Sequence, residues 1–201
     1  MTSIYNFIVE PLGETYNNKI KVEDKNLILN TKVEKHKFVN NYAQVVAIPK
    51  AFTTPIKVGD IILIHHNVFR RWYGMDGKQR NGKAFFKDNL YFVSIDQIYL
   101  YKNKDTWKSI NNRCFVKPIE NKNQFKSQKE ERLVGILKIG NKSLEELGIS
   151  EGDLVGYKPY GEYDFLINNE RLYCMKSNDI VIKYEHQGNE VEYNPSWAQS
   201  G

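Results

Sequence analysis

Cysteine is almost missing from this chain of 201 residues; only Cys114 and Cys174 occur, sixty positions apart. That spacing excludes the close cysteine cluster of a structural zinc site, and with two cysteines no disulfide scaffold is expected. Both lie in apolar strand-like runs, so buried, reduced thiols are expected. No apolar run approaches the roughly 20 residues of a membrane-crossing helix, and no membrane partner is expected. Residues Met1 to Asn6 show neither the basic nor the apolar region of a secretory signal, so a cytoplasmic location is expected. No Gly-x-Gly-x-x-Gly follows a strand, and Gly74-Met75-Asp76-Gly77 reads as a hairpin tip. No Ser/His/Asp or Cys/His set has a motif around it. His65 and His66 are adjacent at a strand end, where neighbours point to opposite faces and do not easily share one metal. The chain is therefore expected to be no enzyme, with no catalytic residues, no metal and no cofactor. Glu130-Glu131 and Glu145-Glu146 read as solvated surface. Helical periodicity is scarce too. A single turn is expected from Ser143, as N-cap, with Glu146 at the capping-box position and Gly148 as the stop.

What is abundant is short strands. Runs rich in Val, Ile, Tyr and Phe fall at 4–9, 42–48, 61–66, 90–94 and 97–101. A second set falls at 113–117, 133–139, 153–157, 164–167, 171–175 and 179–184, with Gly, Asn, Asp and Pro between them. An all-β fold follows, and closing such strands into small barrels would remove exposed edges. The two sets also repeat one another. Lys57-Val58-Gly59-Asp60-Ile61-Ile62-Leu63-Ile64 matches Ser150-Glu151-Gly152-Asp153-Leu154-Val155-Gly156-Tyr157. The strand running through Tyr91 into Asp96 and Ile98 matches that running through Tyr173 into Asp179 and Ile180. Ile8-Val9-Glu10-Pro11 aligns with Phe115-Val116-Lys117-Pro118, and Gln44-Val45-Val46-Ala47-Ile48 with Leu133-Val134-Gly135-Ile136-Leu137. Two copies of one small domain are expected: residues 1–104, residues 105–185, and a polar tail over 186–201 that is either disordered or latched onto a neighbour. The first copy has about 18 more residues between its first two strands and 11 more after its Gly-Asp strand. Loops absorb such changes while strands stay fixed, so function has most room there.

The later insertion, His65 to Lys87, holds six Lys or Arg against one Asp, a surplus equal to the whole chain's net charge of +5. It also carries Phe69, Trp72, Tyr73, Phe85 and Phe86. A basic, aromatic segment suits nucleic acid, a contact between subunits, or a solvated loop. The earlier insertion, about Asn17 to Asn41, is charged and polar and is expected to be mobile. Within it stands Leu27-Ile28-Leu29. That triplet is either a strand paired within its own domain or an apolar ligand for a partner.

The order of these features resembles the GroES family of co-chaperonins: a strand ending near Pro11, a long polar loop with an apolar tripeptide, Ala43 to Ala47, Val58-Gly59-Asp60-Ile61-Ile62, and a last strand after Ser94 to Ile98. The resemblance covers residues 4–101 well. Residues 111–184 match the strand pattern but have only Gln124-Phe125-Lys126 where the long loop would be. It implies two tandem GroES-like small β-barrels. It implies a co-chaperonin that caps a GroEL-type chaperonin ring, assists ATP-dependent folding, and leaves ATP hydrolysis to its partner. It further implies docking through Leu27, Ile28 and Leu29, a homo-oligomeric ring, and a roof or inter-subunit role for Arg70, Arg71, Trp72 and Tyr73. The Asn/Lys/Tyr-rich composition is closer to the family's phage-encoded members than to its tandem plastid members, which would put the protein in a host cytoplasm. The rival readings are a basic β-barrel that binds nucleic acid, ranked second, and a structural virion protein.

Overall fold

The computed structural model describes residues 2–16, 19–22, 25–28, 38–121, 129–185 and 189–198, with 19–22 and 25–28 described by backbone alone. In chain order the strands of the first part are β1 (Phe7–Pro11), β2 (Lys19–Val22), β3 (Lys25–Ile28), β4 (Tyr42–Ala47), β5 (Ile61–Ile64), β6 (Arg71–Tyr73), β7 (Gln79–Asn81), β8 (Phe85–Lys87), β9 (Leu90–Val93), β10 (Ile98–Asn103) and β11 (Thr106–Ser109). Those of the second are β12 (Arg113–Glu120), β13 (Glu130–Ile139), β14 (Leu154–Tyr157), β15 (Tyr163–Ile167), β16 (Glu170–Lys176) and β17 (Ile180–Lys183), with one short helix, α1 (Lys142–Glu145), between β13 and β14. The fold is predominantly β, and among the described residues no helix is long and apolar enough to cross a membrane. Two compact units divide the chain between Trp107 and Lys108.

The two units share one topology. The first sheet runs β11-β10-β5-β4-β1-β9-β8 and the second runs β15-β16-β12-β13-β14-β17. Read in the opposite direction, the second sheet reproduces the first strand for strand, apart from the extra β11. Every recorded pairing within them is antiparallel. Both sheets are open among the described residues, where no pairing closes either into a barrel.

The agreement extends to irregularities. β1 on β4 slips between Ile8 and Val9, and β12 on β13 slips at the equivalent Phe115 and Val116. β10 on β5 slips between Ile98 and Leu100, and β17 on β14 slips at the matching place. A bulge bends and twists a strand locally, so bulges at equivalent positions bend the two sheets in the same places. The Gly-Asp turns are also superimposable in their bonding. The Asp60 carboxylate accepts from Lys57 N at 2.8 Å, and the Asp153 carboxylate accepts from Ser150 N at 2.7 Å. Gly59 and Gly152 both have φ above +90°, the left-handed region that a side chain resists. Hairpins β8–β9 and β15–β16 each turn on two residues with positive φ, Asp88-Asn89 and Asn168-Asn169, the geometry whose twist suits a two-residue hairpin.

One alignment from the sequence needs correcting. Val45 N donates to Asp60 O, and Gly59 N to Val45 O; their counterparts are Leu137 with Asp153, and Gly152 with Leu137. Gln44 and Val45 therefore correspond to Ile136 and Leu137, three residues later than the apolar run suggests. The surplus between the first two strands falls from 18 to 15 residues: Val45 is 34 positions after Pro11, and Leu137 is 19 after Pro118. The helix start also moves. Asn141 caps α1 by accepting from Leu144 N, while Ser143 Oγ donates to Asn112 Oδ1.

Each core is built from alternate strand residues. β4 buries Ala43, Val45 and Ala47 and turns the residues between them outward, as a half-buried strand of period two must. In the second unit Cys114, Val116, Leu137, Leu144, Val155 and Met175 form one cluster. Cys114 and Cys174 are free, fully buried thiols, as expected. Burial pushes both up to about 12, with the neighbouring Cys174 adding to the effect on Cys114. Thiolate is the reactive form. The folded protein should thus resist a disulfide-exchange reagent near pH 8 and release two thiol equivalents only on unfolding; rapid native reaction would contradict the packing.

Gly135 is where the two sheets differ most tightly. A Cβ there would meet Lys117 O at 2.4 Å and Val116 Cγ1 at 2.5 Å. The equivalent Ala43 is accommodated and fully buried. Gly135→Ala should cost about 2–3 kcal/mol in urea unfolding, because part of the obstruction is backbone. A cost within about 0.5 kcal/mol, as for an ordinary surface change, would show that β12 and β13 separate easily.

Of the polar end of the chain, the described residues 189–198 pack on the second unit rather than forming a free tail. Glu192 bridges Ile119, Glu120 N donates to Val191 O, and Tyr193 N donates to Pro118 O. Ala198 is fully buried. This segment covers Lys117, which is 2% exposed, whereas the equivalent Glu10 of the first unit is exposed.

Candidate functional site

The connection between β1 and β4 is long only in the first unit. Within it β2 and β3 form a two-stranded sheet of their own, with Leu27 opposite Ile20 and Ile28 opposite Lys19. Leu27 and Ile28 thus occupy a strand that pairs outside the main sheet; Leu29 and the rest of 29–37 lie outside the described residues. The base of the connection is tied down. Asn40 Nδ2 donates to Leu12 O and Glu14 O at 2.9 Å, and Asn40 N donates to Thr15 O. The segment Gln124 to Lys126 in the second unit lies outside the described residues.

The basic insertion folds into three pieces. His65 caps a 3₁₀ turn, His66–Val68, with its Nδ1 accepting from Asn67 N at 3.1 Å. The two histidine rings lie 4.3 Å apart, tilted by 31°. They do not diverge as strand neighbours would, because β5 has already ended at Ile64. No group of three or more metal-ligating side chains occurs among the described residues. Val68 and Phe69 then pack inward, with Phe69 edge-on to Tyr91 at 4.8 Å. Strands β6 and β7 form a hairpin that turns at Gly74 to Lys78, the tip the sequence indicates.

The four residues expected to act together in this insertion separate into two groups. Arg71 is an anchor: its N donates to Tyr16 Oη at 2.7 Å and its guanidinium to Thr15 Oγ1 at 3.1 Å. Trp72 and Tyr73 are about half exposed on the hairpin, and Arg70 is exposed. Arg80 lies 5.9 Å from the Trp72 ring and pairs with Asp76 at 3.1 Å. Ring-on-ring packing from the insertion is made by Phe69 and Phe85 against Tyr91 and by Phe86 against Phe92. Burial raises the Tyr91 hydroxyl above its usual range, and Arg71 pulls it back down.

Net charge is divided unequally. Residues 1–107 contain 16 Lys and Arg against 10 Asp and Glu, a net +6; residues 108–201 contain 13 against 14, a net −1. All of the chain's positive excess thus sits on the first unit.

The second unit holds a cluster that sequence reasoning missed. Glu130, read as solvated, accepts from Tyr173 Oη and from Arg171, both at 2.7 Å. Arg171 also meets Asp164 through two nitrogens, at 2.8 and 3.1 Å, and lies 4.8 Å from the Tyr173 ring. Burial disfavours the Arg171 cation, but Asp164 and Glu130 hold it firmly protonated. Burial and the bond to Glu130 both raise Tyr173. Beside this cluster opens a cavity of about 130 Å³ lined by Glu130, Glu131, Arg132, Leu133, Tyr157, Pro159, Tyr160, Glu162 and Tyr173. Leu133 has φ +60°, strained for a bulky side chain. The useful sequence signal was Arg171 beside Tyr173, two side chains from one strand that reach the same carboxylate.

No family model matches this chain, and no curated protein matches it in sequence.

Proposed function

We propose that this protein is a non-enzymatic co-chaperonin of the GroES type, built from two tandem small β-barrels, that docks on a GroEL-type chaperonin through Leu27, Ile28 and Leu29. The observation that carries this reading is the asymmetry of two otherwise matching sheets. Only the first unit has a long connection between its first two main strands, and that connection holds a separate hairpin ending in Leu27 and Ile28. An extended apolar segment adding to a groove is a general mode of recognition. One such contact is weak, and several on one ring act together, so a homo-oligomeric ring is part of the proposal. The hairpin β6–β7 would then contribute to the roof or to contacts between subunits through Arg70, Trp72 and Tyr73, with Arg71 fixing its base. A host cytoplasm and a phage origin belong to the same reading.

The test is retention of the protein by a bacterial chaperonin ring in the presence of ATP. Binding that needs nucleotide and survives added salt supports the proposal; no retention under either condition rejects it. A second reading, nucleic-acid binding, is favoured by the +6 charge of residues 1–107 together with half-exposed Trp72 and Tyr73 beside Arg80. It requires affinity for single-stranded DNA or RNA that falls steeply with salt.

A further inference from the structure

The matched sheets reveal a place that one unit fills and the other leaves open. Tyr91 and Tyr173 are equivalent, since they pair with the equivalent Val9 and Val116. Ile64 and Tyr157 are equivalent through Ile98 and Ile180. In the first unit the chain leaving Ile64 makes its 3₁₀ turn against β9 and buries Phe69 edge-on against Tyr91. In the second unit the chain leaving Tyr157 goes almost directly into β15. Phe85 and Asp164, opposite the two tyrosines, follow Ile64 and Tyr157 by 21 and 7 positions. The second unit therefore lacks 14 residues, including any counterpart of Phe69. The cavity of about 130 Å³ lies there, walled by Tyr157, Tyr173 and Leu133.

We propose that this cavity receives an aromatic side chain, borne next to a basic residue on a partner polypeptide. The volume is close to the roughly 150 Å³ of a protein cavity that takes up benzene. Tyr157 and Tyr173 stand 6.2 Å apart with rings inclined at 55°, and such faces and edges favour a third ring at an angle. The basic neighbour is called for by the carboxylates of the lining. Glu131 and Glu162 line the cavity together with an exposed Arg132, and Glu162 Oε2 is buried with no hydrogen-bond partner. Glu130 is already engaged by Arg171 and Tyr173. A buried carboxylate oxygen without a donor is costly, and a guanidinium or ammonium supplies one. The first unit's own filling segment has this residue order, Phe69 followed by Arg70 and Arg71.

The inference does not rest on the chaperonin reading, and its test uses no chaperonin. The probe is a synthetic hexapeptide copying residues 67–72, Asn-Val-Phe-Arg-Arg-Trp, titrated into the intact protein and followed by NMR. Resonances of Leu133, Tyr157 and Tyr173 should shift, with a Kd of about 0.1–1 mM. A peptide with alanine for phenylalanine should bind at least about tenfold more weakly. Because both arms vary only the peptide, neither depends on a protein variant that folds. Glu162→Gln, which keeps the side chain's shape, should weaken the original peptide about threefold or more and flatten its salt dependence. Absence of shifts at these three residues, shifts confined to residues 1–107, or equal binding of the alanine peptide would each overturn the proposal. Unchanged affinity and salt dependence in Glu162→Gln would overturn its basic-residue component.

Discussion

Replacing Leu27 and Ile28 together by alanine is expected to abolish ATP-dependent retention on a chaperonin ring while leaving the unfolding midpoint in place. The backbone that carries them pairs only with β2 among the described residues and lies outside the seven-stranded sheet. Changes away from a core usually alter stability by less than about 0.5 kcal/mol. Apolar anchors at an interface cost about 1 kcal/mol or more each. Losing two per subunit, summed over a ring whose loops bind jointly, takes the complex below detection. Altering Gln124 to Lys129 should leave retention intact. Equal loss from both changes would make the two units equivalent in docking. A double variant that unfolds would identify the residues as core and reject the proposed function.

The second large effect is expected at Lys117. Its Nζ donates to Asn194 Oδ1 at 3.1 Å and lies 3.7 Å from the Glu170 carboxylate. Burial lowers its pKa, Glu170 and Glu192 pull it up, and Lys138 pushes it down; the net shift is downward from the usual 10.5. The folded state therefore holds this proton less firmly than the unfolded chain. Below the lowered folded value the whole penalty is present. Between that value and 10.5 the unfolded chain stays protonated while the folded one does not, so stability rises with pH across that window.

Two variants separate the cation from its support. Lys117→Met should be neutral or stabilising by about 1 kcal/mol, since a buried ion pair often gains nothing over an apolar side chain of similar size. Glu170 is half exposed and Asn194 Oδ1 still accepts from Arg171 N. Asn194→Ala should cost about 2 kcal/mol, because it removes the amide oxygen to which both Lys117 Nζ and Arg171 N donate and leaves the buried cation the half-exposed Glu170 carboxylate at 3.7 Å. Urea unfolding near pH 7 and about pH 10 reads both. The rise in stability with pH should vanish in Lys117→Met; its persistence would assign the rise to another group.

The all-β composition, the duplication, the Gly-Asp turns and the two places where the copies differ in length were legible in the residues themselves. Each is local: short β-branched and aromatic runs specify strands, and a Gly-Asp pair specifies a turn through a positive φ and a side-chain acceptor, whatever lies further along the chain. Register was not legible. Val134 and Leu137 are equally apolar, and only the bonds of Leu137 to Asp153 and Gly152 choose between them. Nor could the residues reveal that Glu130 is spent on Arg171 and Tyr173, that the terminal segment seals Lys117, or that Phe69 fills in one unit what stays open in the other. Those outcomes depend on partners 40 or more positions away for Glu130 and Lys117, and on the pairing that brings β9 and β16 beside their chain-distant neighbours. Sequence by itself determined the elements and their repetition, because those follow from propensity and turn chemistry within a few residues. Tertiary structure alone decided which charges are buried, which aromatics are presented and where the cavity lies, because burial and pairing exist only once distant strands are hydrogen-bonded in one register.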